Sequence, residues 1–167
     1  MKRDATISDC GRFRYRLTRE WDSALKPLVF IMLNPSTADA AEDDPTIRKC
    51  IGFATRLGFG GIEVFNLFAF RATKPADLRN AGYPIGPDND SIITGRLEAM
   101  QAHERGYVIC AWGANARNLN RPRELASYLA LAGVRLRALR LLADGIPEHP
   151  LMLPYSCTPV PLLGGAQ

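Results

Sequence analysis

Three short apolar runs constrain this chain most: Leu28 to Leu33, Ile62 to Phe68 and Tyr107 to Trp112. Each is too short for an ordinary helix and too apolar for a strand with one wet face. Each therefore reads as a strand buried on both sides. Their ends are punctuated. The first stops at Asn34-Pro35-Ser36-Thr37, because proline cannot continue a central strand and restricts the residue before it. The third stops at Gly113, and the second carries Asn66 and runs on toward Arg71.

Helical patterns fill the intervals. Asp44 as N-cap with Pro45 at the first helical position opens a helix to about Leu57. Ile47, Cys50, Ile51 and Ala54 share its apolar face, and Gly58 ends it. Ala69 to Pro87 reads as a loop, and Asn89 or Asp90 then caps a helix to about Arg105. A further helix covers Arg123 to Leu131, and a last strand runs from Arg135 to Leu142. Near the start, Phe13 to Leu17 alternates with period two, the pattern of a half-buried edge strand. Strands alternating with helices of about 10 to 16 residues predict an α/β fold. The expectation is a three-layer α/β/α sandwich on a mainly parallel sheet, one domain over 1–167, with 1–11 and 160–167 as flexible ends.

Composition narrows the classes. At 167 residues, 47% hydrophobic and 23% charged, one domain can bury its own core without disulfides. No stretch reaches the roughly 18 to 20 apolar residues of a membrane span. The first eleven residues lack a signal-peptide core, so a cytoplasmic protein with no membrane contact is expected. The net charge of +4, carried mostly by Arg, tilts the partner toward nucleic acid or a nucleotide. Cys10, Cys50, Cys110 and Cys157 form no close pair, which disfavours a metal cluster. No cofactor is called for, since neither a phosphate-loop nor a dinucleotide glycine motif is present.

In such a fold ligands bind beyond the carboxyl ends of the parallel strands. Those ends deliver Asn34, Pro35, Ser36 and Thr37, then Asn66 and Arg71, then Trp112 and Gly113, and finally His149 before Pro150. Asn66 interrupts an apolar strand, so it either braces a neighbouring loop or reads the edge of a base-like ligand. His149 is either a surface cap or a donor to developing negative charge. Trp112 either packs in the core or stacks on a base. Arg71 either grips a phosphate or pairs with Asp43 or Asp44. Asp39, Asp43 and Asp44 could position water or a divalent cation, though Asp44 is expected to cap its helix. Ser36 lacks the Gly-x-Ser-x-Gly setting of a serine hydrolase.

The strings Met32 to Asp39, Asp43 to Thr46, Asn66 to Ala69 through Thr73, Gly86 to Asp90 and Ala111 to Gly113 resemble the bacterial DUF1643 family. The order of motifs is also similar, more remotely, to the uracil-DNA glycosylase superfamily. That resemblance implies a glycosylase-like fold in which Asn34-Pro35 positions water and Asn66 reads the base. Val108 to Ala116 would match the third motif, and His149-Pro150 the residue that stabilises the departing base. Ser36-Thr37 replace the aromatic and histidine that often follow the first motif. The loop after His149 lacks the serine-rich pattern that penetrates a duplex.

The leading expectation is a protein with a nucleobase pocket that cleaves an N-glycosidic bond, with Asn34 and His149 catalytic. Pro35, Ser36, Thr37, Asp39, Asn66, Arg71, Trp112 and Gly113 would surround the substrate. Because Asn34 cannot serve as an anionic base, slow turnover is expected. The alternatives are a non-catalytic nucleotide or nucleic-acid-binding module, and, more weakly, a metal-assisted hydrolase using the acidic loop.

Overall fold

The computed structural model describes residues 1–36, 38–103 and 106–162. Seven strands form one sheet: β1 Lys2–Ile7, β2 Arg14–Glu20, β3 Pro27–Met32, β4 Gly61–Asn66, β5 Val108–Cys110, β6 Leu136–Ala138 and β7 Val160–Pro161. Four helices accompany them: α1 Pro45–Arg56, α2 Pro75–Asn80, α3 Asn89–His103 and α4 Arg121–Leu131. The strand order is β1-β2-β4-β3-β5-β6-β7. The central four, β4-β3-β5-β6, run parallel.

The apolar runs occupy the centre for the reason their composition gives. Residues of alternating parity on β3 are buried on opposite faces. Leu28, Phe30 and Met32 pack with Ile47, Cys50, Phe53 and Ala54 of α1 and with Leu153. Val29, Ile31 and Leu33 pack with Ile93 and Leu97 of α3, Leu125 and Leu129 of α4, and Leu78 of α2. Helices thus cover both faces of the sheet. Asp44 caps α1 as its sequence requires, accepting the Ile47 N–H at 2.8 Å with Pro45 at the first turn.

The structure corrects six expectations. The sheet is mixed rather than mainly parallel, because β1-β2, β2-β4 and β6-β7 are antiparallel. Residues 2–7, expected as a flexible end, form the edge strand, with charged side chains that suit an exposed edge. Consequently β2 is an inner strand, longer than Phe13 to Leu17. Within Ala69 to Pro87 lies the short helix α2, which starts at Pro75 and buries Leu78. The last predicted strand shrinks to the three residues of β6, and Leu141 only bridges to Pro147. Val160 and Pro161 pair with β6, and 163–167 lie outside the described residues.

Two buried ion-pair groups bind β2 to its surroundings. Glu63, 5% exposed, takes Arg16 at 3.0 Å and Arg96 of α3 at 2.9 Å. Arg19 has no exposed surface, and each of its three guanidinium nitrogens has a partner. Its Nε donates to Asp43 at 2.7 Å, and its two terminal nitrogens donate to the carbonyls of Thr18, Asp39 and Glu42. Arg3 adds a second contact to Asp43 at 3.1 Å. The acidic loop before α1 is thereby tied to the antiparallel edge of the sheet. Replacing Arg19 with Met should lower unfolding stability in urea by about 3 kcal/mol, the usual cost of removing one partner of a buried pair. Backbone amides of 39–43 should then exchange with solvent faster than those of β3.

Candidate functional site

The parallel strands depart from β3 in two directions. The chain first returns through α1 to β4 on one side and later reaches β5 on the other side. The crevice beyond β3 and β5 is therefore the switch point at which open α/β sheets bind ligands. A cavity of about 270 Å³ lies there. Its wall includes Met32, Leu33, Asn34 and Ser36 after β3, Asp44 and Thr46 at the start of α1, and Thr73 before α2. Trp112, Gly113 and Asn115 come from the turn after β5, with His149 close against Gly113 and Arg14 from β2.

Asn34 is held in one orientation. Its Nδ2 donates to the carbonyls of Pro35 at 2.9 Å and Ala72 at 2.8 Å. Both neighbours are acceptors, so the amide nitrogen must face them, and Oδ1 is left as an acceptor with no partner among the described residues. Pro35 is buried beside it and also accepts the Ala72 N–H at 3.0 Å. The Asn-Pro corner thus pins the strand end to the loop after β4.

His149 is fixed in a complementary sense. Its Nδ1 accepts the Leu151 N–H at 3.3 Å, which puts the proton of the neutral ring on Nε2 as a donor. Burial pushes the imidazole pKa below its ordinary value near 6.5, and the Asp44 charge pulls part of the way back. Gly113 makes this placement possible. It adopts φ +76°, its N–H donates to the Pro147 carbonyl at 2.9 Å, and an added Cβ would stand 3.0 Å from His149 Cβ. Trp112, 6% exposed, packs into the core on the α3–α4 face and also lines the cavity. It also walls a second hollow of about 410 Å³ between α4 and the 144–147 loop. That hollow is bordered by the exposed Arg117–Asp144 pair and has no buried donor of the Arg14 kind. The smaller cavity is the candidate site.

Arg14 is the group that sequence reasoning missed. Its side chain is 2% exposed, yet it belongs to the cavity wall. One terminal nitrogen donates to the Ala38 carbonyl, and Nε has no partner. Among the described residues no carboxylate forms an ion pair with it. Burial draws its pKa down to about 10, with Asp44 opposing, so it stays charged at neutral pH. A break in register re-aims it. Thr6 pairs with Arg16 and Ile7 with Arg14, which leaves Tyr15 as the extra residue of a bulge. Arg16 reaches Glu63 while Arg14, two residues away, reaches the Ala38 carbonyl. Nothing in the Phe-Arg-Tyr-Arg-Leu alternation signals that break. Thr46, Thr73 and Asn115 also line the cavity without having been singled out.

Among the described residues, the remaining candidates Pro35, Asp39, Asn66 and Arg71 fall outside the wall. Asn66 is 1% exposed and neither end of its side-chain amide has a partner. It is the register partner of Met32, so it lies beside a wall residue rather than in the wall. Its backbone carbonyl accepts from Asn89 Nδ2 at 2.9 Å. Arg71 donates to the Gly11 carbonyl at 3.2 Å and makes neither expected ion pair, because Asp43 is taken by Arg19 and Arg3. Asp39 turns inward on its own loop, accepting the Ala41 and Glu42 N–H groups, which hold its carboxyl below the ordinary range. With Asp44 engaged at its helix, no cluster of three metal-ligating side chains occurs among the described residues. Thr37 lies outside those residues.

The whole cavity wall falls inside residues 14–151, which match a family model described as "Protein of unknown function (DUF1643)". The chain belongs to the DUF1643 family. No curated protein and no solved structure matches it. No helix among the described residues is long and apolar enough to cross a membrane.

Two outcomes follow from this DUF1643 site. Gly113→Ala should cost more than about 1 kcal/mol, since Ala is strained at positive φ, and should shift the His149 ring resonances in NMR. For His149 itself the unfolded chain binds a proton more readily than the folded one. The stability held by its neutral ring is therefore complete above the unfolded pKa and is lost as pH falls through it toward the lower folded value. An NMR titration should place His149 below 6.5, and His149→Gln should flatten the loss of stability between about pH 7 and pH 5.

Proposed function

We propose that the cavity takes a nucleobase with its attached sugar and cleaves the N-glycosidic bond between them. The observation that carries the reading is the pairing of an uncommitted acceptor, Asn34 Oδ1, with a proton-bearing His149 Nε2 in one cavity at the switch point. A cavity of about 270 Å³ lies just under the usual range for drug-sized ligands, which suits a small, polar guest. Asn66 supports it too. A base edge carrying a donor and an acceptor would satisfy an amide whose two ends are otherwise orphaned, with flexible Met32 turning aside to admit it. The strand order β4-β3-β5-β6 is compatible with the glycosylase-like arrangement that the motif order resembles.

In the reaction the C1′–N bond breaks with its electron pair leaving on the base. His149 Nε2–H donates to the exocyclic carbonyl oxygen of the base, where the negative charge gathers. A water held by Asn34 Oδ1 adds to C1′, and its proton passes to the departed base nitrogen. The products are the free base and the sugar hydroxyl.

A second reading, binding without cleavage, is favoured by Asn34 itself. An amide takes no proton from water, and Asp44, the only carboxylate among the described wall residues, is committed to the Ile47 N–H.

The test is incubation with nucleosides, nucleotides and oligonucleotides bearing uracil and other altered bases, followed by chromatography for released base. Release should fall by about 10² to 10³ in His149→Ala, the usual effect of removing one donor to a developing anion. Tight binding with no release across that panel would select the second reading.

A further inference from the structure

We propose that Arg14 forms the floor of a phosphate subsite, so that the ligand of this cavity is a small molecule with a terminal phosphate, a nucleoside monophosphate in the proposed reading. The inference rests on the cavity being the ligand site and not on bond cleavage. A guanidinium that is 2% exposed, with an unpartnered Nε and no carboxylate paired to it among the described residues, calls for an anion. Arginine offers a planar fork of donors that matches phosphate oxygens. The bulge at Tyr15 and the bond to the Ala38 carbonyl hold that fork against the cavity rather than on the face where Arg16 lies.

The neighbours have the right chemistry. The first turn of α1 borders the same cavity through Thr46 and Ile47, and the Thr46 N–H has no acceptor within the helix. Ser36, Thr46 and Thr73, each carrying a hydroxyl that can donate, also line the wall. Asp44 is the opposing charge. Its Oδ1 is spent on the Ile47 N–H at the positive end of α1, so it favours the Arg14 charge through space without forming an ion pair with it. Burial of Arg14 selects the terminal group. A phosphate inside a strand has chain leaving from two oxygens, whereas a monoester leaves by one and can enter a recess with almost no exposed surface.

Isothermal titration with inorganic phosphate, the four common ribonucleoside 5′-monophosphates, their nucleosides and a 5′-dephosphorylated oligonucleotide tests this. Phosphate should bind alone and compete with a monophosphate, and at least one monophosphate should bind tenfold or more tightly than its nucleoside. In Arg14→Gln, checked for folding by circular dichroism, that preference should collapse toward one, and Arg14→Lys should restore part of it. Equal affinity for nucleoside and monophosphate, or no binding by any probe, overturns the proposal. So does tightest binding by the oligonucleotide, which would point to nucleic acid. If Arg14→Gln does not fold, the wild-type preference and the phosphate competition still decide. Base release without phosphate preference would sink this inference alone, and phosphate preference without base release would sink the cleavage reading alone.

Discussion

The shape of the cavity depends on how the segment between β3 and α1 is held, and that task falls to one buried cation. Arg19 reaches out of β2 to Asp43 and to the carbonyls of Asp39 and Glu42. A loop of small and acidic residues has little apolar surface with which to pack. It would otherwise be free to move, and with it Asp44 and the start of α1. The same contact explains why the antiparallel edge is more than an appendage. Without β2 beside β4, neither Arg19 nor Arg14 would stand near the switch point.

Within that frame the two polar groups of the cavity wall, Asn34 and His149, are oriented by backbone rather than by one another. Asn34 uses its amide nitrogen on the Pro35 and Ala72 carbonyls, and His149 uses Nδ1 on the Leu151 N–H. Each side chain spends one polar end on structure and keeps the opposite type for the cavity. A flipped amide at Asn34 would set oxygen against two carbonyl oxygens, so its presented group is determined. Gly113 adds the close approach that brings the 147–149 loop up to the strand end. Preorganisation of this kind is what a site working through hydrogen bonds needs, because side chains that must reorient lose much of their advantage.

The sequence made legible what depends on short-range chemistry. The buried runs, the Asp44-Pro45 helix start and the glycine stops are written locally, and the parallel core follows from their alternation. Asn34, Ser36, Trp112, Gly113 and His149 could be brought together because strand ends of a parallel sheet share one edge. What escaped depends on non-local pairing. Lys2 to Ile7 is too polar to signal a strand and becomes one through β2. Asn66 is conspicuous as an amide in an apolar strand, but its place beside the wall residue Met32, rather than in the wall itself, is set by register. Arg71 lies close to the site in the chain, yet its guanidinium turns to Gly11.

Arg14 and Arg19 lie five residues apart on one strand, and both are buried from solvent. Their fates differ in a way that separates architecture from function. Arg19 has Asp43 and three carbonyls, so its burial is offset within the fold. Arg14 has one carbonyl and an idle Nε, so part of its desolvation cost is left standing. Had folding alone shaped the position, an apolar side chain of similar volume would be as stable or more so, since such replacements of buried charges are often neutral or favourable. A charged group kept at a cost beside a cavity is most simply understood as serving what enters that cavity. The bulge that turns Arg14 there belongs to the same argument, because an irregularity in β2 weakens pairing locally and gains only the direction of one side chain.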